Sequence, residues 1–482
     1  MRLKKIYRKG VLFFMANSFI NFFKEPPAIG TIKNKAEITQ KYSHYRKVLM
    51  FALYIGYVVS YIGRKNLSIA MPIISSTFGM NKFQLGLLSS TFYVTYGVGK
   101  MVNGILSDKS NVRTFYSIAL MCVAFCLFGF VFSSYLGFLP ITTIAWIMAF
   151  FWGLGGWFHS MTFPPIAKSL SYWFTKKERG LKWSIISTSH QIGVLSGVVV
   201  SNFAIFLMGW RGAFYLPGII SLLTGFFLYS KLRDKPASLG LPEVEEYERM
   251  MSPSLEEIEE YRVEKEEVKK QDEEKLTYTQ MFTKYILVNP SVWILSFAFM
   301  FIYIVRTASE DWIVMFFKEK GDSLAGASAK LVVLSIIGAT GTMFSGFISE
   351  KLFKGKRALV NIIFLIGLLL SLFGFMMNQI YSIYILDYVY AALIGLFCAG
   401  LQNLVGLHIV EVCSSRVASA ANGFGGSFSY LGAVVSSIAT GGIAQNLGWN
   451  KTFIFWMICT VAAIILIVCV IPVEKIKMRK RV

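Results

Sequence analysis

Twelve runs of about 20 predominantly apolar residues punctuate this chain, and a run of that length crosses the hydrocarbon core of a bilayer as a helix. Inside lipid every backbone N–H and C=O must find its partner within the segment or a closed barrel, so such runs fold as spanning helices. They lie near 48–70, 84–106, 114–134, 141–163, 183–207 and 212–231, then near 292–316, 327–349, 358–377, 382–408, 418–444 and 452–473. Only 16% of the 482 residues are charged and 55% are hydrophobic, outside soluble usage. The expected fold is an all-α membrane protein of twelve transmembrane helices.

The two sets of six are copies of each other. Tyr61-Ile-Gly-Arg64 is followed 242 positions later by Tyr303-Ile-Val-Arg306. Gly104-Ile-Leu-Ser-Asp108-Lys109 returns at the same offset as Gly346-Phe-Ile-Ser-Glu350-Lys351. Gly209-Trp210 and Gly448-Trp449 differ by 239. Such internal repetition predicts two pseudo-symmetric six-helix bundles with a site on the axis between them. Arg64 and Arg306 are then equivalent positions, and each falls within an apolar stretch.

A net charge of +21 does not indicate nucleic acid here. Lys and Arg crowd into alternate loops: the N-terminal arm, Lys109 and Arg113, Lys176 to Lys182, Lys351 to Arg357, and Lys475 to Arg481. The positive-inside rule places those loops and both termini in the cytoplasm. The predicted divisions are an N-terminal arm over 1–47, a first bundle over 48–231, a charged cytoplasmic linker over 232–290, a second bundle over 291–474 and a basic tail over 475–482. Residues 231–290 hold 15 Asp and Glu against 10 Lys and Arg, too polar to build a core, and read as a flexible linker. Arg2 to Lys9 followed by Val11 to Phe23 resembles a signal peptide, but no small-residue cleavage site follows, which favours an uncleaved interfacial segment. The six cysteines show no metal spacing. With no nucleotide-binding glycine loop and no catalytic triad, the sequence points away from an enzyme and calls for no cofactor.

Polar residues within the apolar runs carry the functional signal, because a guanidinium at the bilayer centre costs about 3 kcal/mol or more and persists where it faces a polar cavity. Tyr57, Tyr61 and Arg64 at i, i+4 and i+7 share one helical face, and a forked cation beside two phenols suits a phosphoryl group. Lys65 points elsewhere, and a bridge from it to Asp311 in the other half would neutralise both and latch the halves together. Glu310, one turn after Arg306, is placed to pair with it in an empty site. Lys100, with Tyr96 one turn before it, needs an anionic partner or snorkels to the helix end. His190 in Ser-Thr-Ser-His190-Gln-Ile is either a donor to an anion or a core histidine; His159 and His408 read as packing groups. Trp157 and Gln191 are core residues on spacing alone, with a cavity wall as the other reading.

These segments resemble the organophosphate:phosphate antiporters of the major facilitator superfamily. The likeness rests on Tyr61-Ile-Gly-Arg64-Lys65-Asn66, Tyr96-Gly-Val-Gly-Lys100, Gly104-Ile-Leu-Ser-Asp108-Lys109, Lys177-Glu178-Arg179-Gly180, Ser189-His190-Gln191, Gly240-Leu241-Pro242 and Arg306 with Asp311-Trp312. It implies that Arg64 and Arg306 hold the phosphoryl group, with Lys100, His190, Tyr57, Tyr61 and Tyr96 nearby and a Lys65 to Asp311 bridge. The implied activity is exchange of a hexose phosphate for inorganic phosphate by a monomer in a bacterial inner membrane. A sensor of external sugar phosphate, working with a kinase partner, and a carrier of glycerol 3-phosphate or a three-carbon phosphate acid are the alternatives. Three positions depart from the family pattern: Ser335 replaces an acidic residue, Phe163 a tryptophan and His159 a glutamine.

Overall fold

In a computed structural model of the chain, residues 26–251 apart from 31 and 33, 282–413 and 417–479 are described. The expected interfacial segment before residue 26 and most of the acidic run therefore lie outside the described residues. Helix α1 (Lys35–Ile62) opens on Asn34, whose side chain accepts from the backbone N–H groups of Ala36 and Glu37 and satisfies two of the free donors of the first turn. It starts well before residue 48, because the cap and a polar first turn extend the helix beyond its apolar run.

Arg64 was expected inside one continuous helix, but the chain breaks at Gly63, Arg64 and Lys65 before α2 (Asn66–Phe78) resumes. Gly63 weakens the helix at that point, and Pro72 removes a donor within α2. The other helices of the first half are α3 (Lys82–Asp108), α4 (Val112–Ser133), α5 (Ile141–Ser160), α6 (Pro164–Trp173), α7 (Lys176–Met208) and α8 (Gly212–Lys231). The break between α5 and α6 precedes Pro164, as a proline disfavours helix in the residue before it.

A short helix α9 (Val244–Met251) leads into the undescribed run, and among the described residues six α-helices form the second half: α10 (Pro290–Glu319), α11 (Leu324–Phe347), α12 (Arg357–Tyr381), α13 (Tyr384–Glu411), α14 (Ala418–Asn446) and α15 (Gly448–Arg479). Eleven helical stretches among the described residues are long and apolar enough to cross a membrane, with α1–α2 and α5–α6 each counted as one. The twelfth crossing is α3, whose 27 residues reach about 40 Å. Its glycines, serines and tyrosines lower its hydropathy because it packs against α5 in its own half and α14 in the other.

Each half has its own apolar core. Phe92, Val123, Phe130, Trp152 and Phe214 anchor the first, and Leu295, Phe316, Leu365, Leu401 and Phe453 the second. Large apolar side chains also stay exposed on the outside, among them Phe132, Trp146, Phe206 and Leu370, which is the surface a lipid solvent requires. Residues 234–251, read from composition as part of a linker, are partly docked. Tyr247 stacks on Tyr42 of α1 with ring centroids 3.9 Å apart, and Tyr42 Oη donates to the Pro242 carbonyl at 2.5 Å. Apolar and aromatic residues among the charges, Leu241 and Tyr247, supply the anchors that averaged composition hides.

Candidate functional site

A cavity of about 710 Å³ lies between the halves, walled by α1, α3, α7, α10, α11, α13 and α14, and its size suits a small polar metabolite. Arg64, Lys65, Lys100, Tyr57, Tyr61, His190 and Arg306 all line it, as do Glu310 and Gln191. The structure thus brings one arginine from each half to a common chamber.

Each arginine rests on the tyrosine three residues before it. Arg64 Nη1 donates to Tyr61 Oη at 3.3 Å, and its guanidinium carbon lies 5.2 Å from the Tyr61 ring centroid. The Arg306 guanidinium lies at the same 5.2 Å from Tyr303. A π-face under a cation orients it without neutralising it. The backbones differ, however: α10 runs unbroken through Arg306, whereas Arg64 sits in the turn after α1.

Tyr96 was expected at the ligand, but it is absent from the cavity wall. Its ring lies 4.6 Å under the Arg64 guanidinium and 4.7 Å from Tyr430 of α14, so it supports Arg64 from behind. The i−4 position relative to Lys100 had suggested a shared face, but α14 packs over that part of α3. Lys100 Nζ sits 5.5 Å above the Tyr430 ring and keeps its contact with the cavity. Trp157 lies elsewhere, in an apolar groove with Trp146 and Phe150. His190 packs edge-on to Tyr61 with centroids 4.2 Å apart, while His159 and His408 are buried among helices.

At one end of the cavity an ionic network joins the halves. Lys65 Nζ is 2.8 Å from both Asp311 Oδ1 and Glu310 Oε2, and Glu310 Oε1 is 2.9 Å from Arg306 Nη2. Asp311 also accepts from Tyr93 Oη at 2.5 Å and Ser68 Oγ at 3.2 Å. Tyr93 was missed from sequence; its one signal was a position three residues before Tyr96, on nearly the same helical face. Beyond this network the end is sealed. Lys82 Nζ pairs with Glu319 at 2.8 Å, Trp449 donates to Glu319 at 2.7 Å, and Ser328 Oγ donates to Asn202 at 3.2 Å. The cavity wall extends the other way to Trp183 and Ser187 on α7 and to Asn403 and Val410 on α13. That end carries the Asp108 and Lys351 turns.

Electrostatically, Arg64, Lys65, Lys100 and Arg306 share the chamber with Glu310, and Asp311 pairs with Lys65. Four cations against two carboxylates leave a net +2. Among the described residues, neither Arg64 nor Lys100 has a carboxylate within ion-pair distance.

Two six-helix bundles closing on a polar chamber define a multi-pass helical membrane protein of the two-bundle carrier type. The chain belongs to the Major Facilitator Superfamily, matched over residues 53–391. It is 36% identical to a protein of Chlamydia trachomatis serovar D named "Probable hexose phosphate transport protein", over 93% of this chain and 96% of that one. It is 32% identical to the Escherichia coli (strain K12) "Membrane sensor protein UhpC", over 94% and 97%. Among solved structures it resembles the inward-open xylose transporter XylE from E. coli, with a TM-score of 0.66 at 15% identity over 87% of this chain and 94% of that one.

Proposed function

We propose that this protein exchanges a phosphorylated sugar, a hexose 6-phosphate such as glucose 6-phosphate, for inorganic phosphate by alternating access. The observation that carries the reading is the pair Arg64 and Arg306, supplied by equivalent positions of the two halves and facing one chamber of net charge +2. A phosphate monoester carries about −1.5 to −2 at neutral pH and offers three strong acceptor oxygens, so it matches both the charge and the forked donors. Tyr57, Tyr61, Lys100 and His190 complete the donor set, and Tyr96 holds Arg64 in place. The 36% identity to a protein named for hexose phosphate supports the same substrate class.

Exchange follows from the charges. Unpaired Arg64 and Lys100 in an empty chamber disfavour the closed state through which the site must pass, and either phosphate species relieves that repulsion. Breaking Lys65 from Asp311 and Glu310 opens the sealed end. With the basic loops and both termini cytoplasmic, the open end here faces the cytoplasm and the Lys82 end faces out across a bacterial inner membrane. The acidic 232–290 segment then lies on the cytoplasmic side, and one copy of the chain suffices for the path.

Purified protein in liposomes preloaded with phosphate is expected to take up labelled phosphate, with glucose 6-phosphate the best competitor. Arg64→Lys and Arg306→Lys lose the bidentate grip and should each lower exchange by about two orders of magnitude. Uptake independent of internal phosphate would refute exchange. The identity to a membrane sensor favours one second reading, a receptor of external sugar phosphate acting through a kinase; tight binding of glucose 6-phosphate without exchange would identify it.

A further inference from the structure

We infer that Glu310 is a built-in competing anion for Arg306, which keeps phosphate affinity low enough for the ligand to be released. The inference rests on the phosphate reading above and concerns the same chamber. Glu310 lines the cavity and lies one turn from Arg306 on the same unbroken helix, so its carboxylate reaches the guanidinium at 2.9 Å. Its other oxygen holds Lys65 of the opposite half at 2.8 Å. The two arginines are therefore unequal when the chamber is empty: Arg64 rests on aromatic rings and is open to an anion, whereas Arg306 already holds one.

An incoming phosphoryl group meets Arg64 first and must then displace Glu310 from Arg306. The displaced carboxylate stays on Lys65, beside the ligand, and repels it. Like charges held this close in a partly desolvated chamber weaken binding in proportion to the charge on the ligand. Lys65 keeps Asp311 as a partner in either case, so the halves stay latched while Arg306 changes hands. Rapid exchange needs such a brake, because Arg64, Lys100 and Arg306 with no carboxylate opposing them would hold a dianion too long to turn over.

The test is Glu310→Gln, which keeps the shape and removes the charge. It is measured in liposomes and by binding of two probes of equal shape and unequal charge, glucose 6-phosphate and glucose 6-sulfate. The variant is expected to bind the singly charged sulfate ester about tenfold tighter, since no carboxylate has to be displaced from Arg306, and the phosphate ester tighter still, since the repulsion removed grows with the charge on the ligand. KM for exchange should fall while the maximal rate also falls, since release slows. Equal affinity in wild type and variant for both probes would overturn the inference and leave the phosphate reading standing. Wild-type protein that binds neither phosphate nor glucose 6-phosphate would remove both. Should the glutamine variant fail to reconstitute, difference infrared spectra of the wild type decide the matter. Added phosphate must perturb a carboxylate stretch, and an unchanged carboxylate region refutes displacement.

Discussion

Among single residues, the tyrosines do the least visible work. Tyr61 and Tyr303 orient the two arginines, and Tyr93 reaches Asp311 at 2.5 Å from outside the pattern that first marked the site. Asp311 is 3% exposed, so each donor it loses leaves charge less compensated in a poorly hydrated place. A hydrogen bond to a charged group contributes about 1.5–3 kcal/mol. Tyr93→Phe is therefore expected to loosen the latch and to raise the fraction of molecules open at the Lys82 end roughly tenfold or more. Faster reaction of an impermeant thiol reagent with Gln445→Cys, in a background freed of native cysteines, would register the shift; an unchanged rate would show that Tyr93 merely packs.

For the elements, the important events are where helices stop. The α1–α2 break sets Arg64 in a turn, and the α5–α6 break lets α6 lie against the end of α3. From α6, Lys168 Nζ donates to the carbonyls of Ser107, Asp108 and Ser110 at 3.1, 3.0 and 2.7 Å. Helix C-termini leave carbonyls unpaired and favour cations, and this lysine closes the end of α3 beside a loop that begins the next crossing. Lys168→Met keeps the bulk and deletes three charge-assisted bonds, so stability should fall by about 3 kcal/mol, seen as a lower melting temperature in detergent. A melt identical to the wild type would mean that water takes over all three carbonyls.

Across the whole molecule, the state observed is decided by the seal between α3 and α14. The contact is made backbone to backbone: a Cβ on Gly86 would fall 2.3 Å from the Ser437 carbonyl oxygen, and one on Gly441 2.4 Å from that of Lys82. Small residues permit this approach, as they do between membrane helices generally. Gly86→Val cannot be accommodated without separating the two halves there, because the neighbour is main chain. Spin labels at Tyr135 and Ile380, exposed at the same end on opposite halves, should move apart relative to the unsubstituted protein. An unaltered distance distribution would place the pivot elsewhere.

The sequence by itself determined the spanning helices, their number and the duplication, since lipid allows few other solutions for long apolar runs and a constant offset between repeats needs no coordinates. It also marked Arg64, Arg306, Lys65, His190 and Asp311, because polar groups stand out where polarity is costly. Tertiary structure decided how those residues meet. Helical periodicity could not show that the chain breaks at Gly63, that α14 covers Tyr96, that Trp157 faces away from the chamber, or that Tyr93 joins Asp311. Nor could it decide that Glu310 spans both Arg306 and Lys65. Apart from the break at Gly63, these depend on which helix packs against which, and the partners Tyr93 and Asp311, Lys65 and Glu310, and Tyr96 and Tyr430 lie more than two hundred residues apart in the chain.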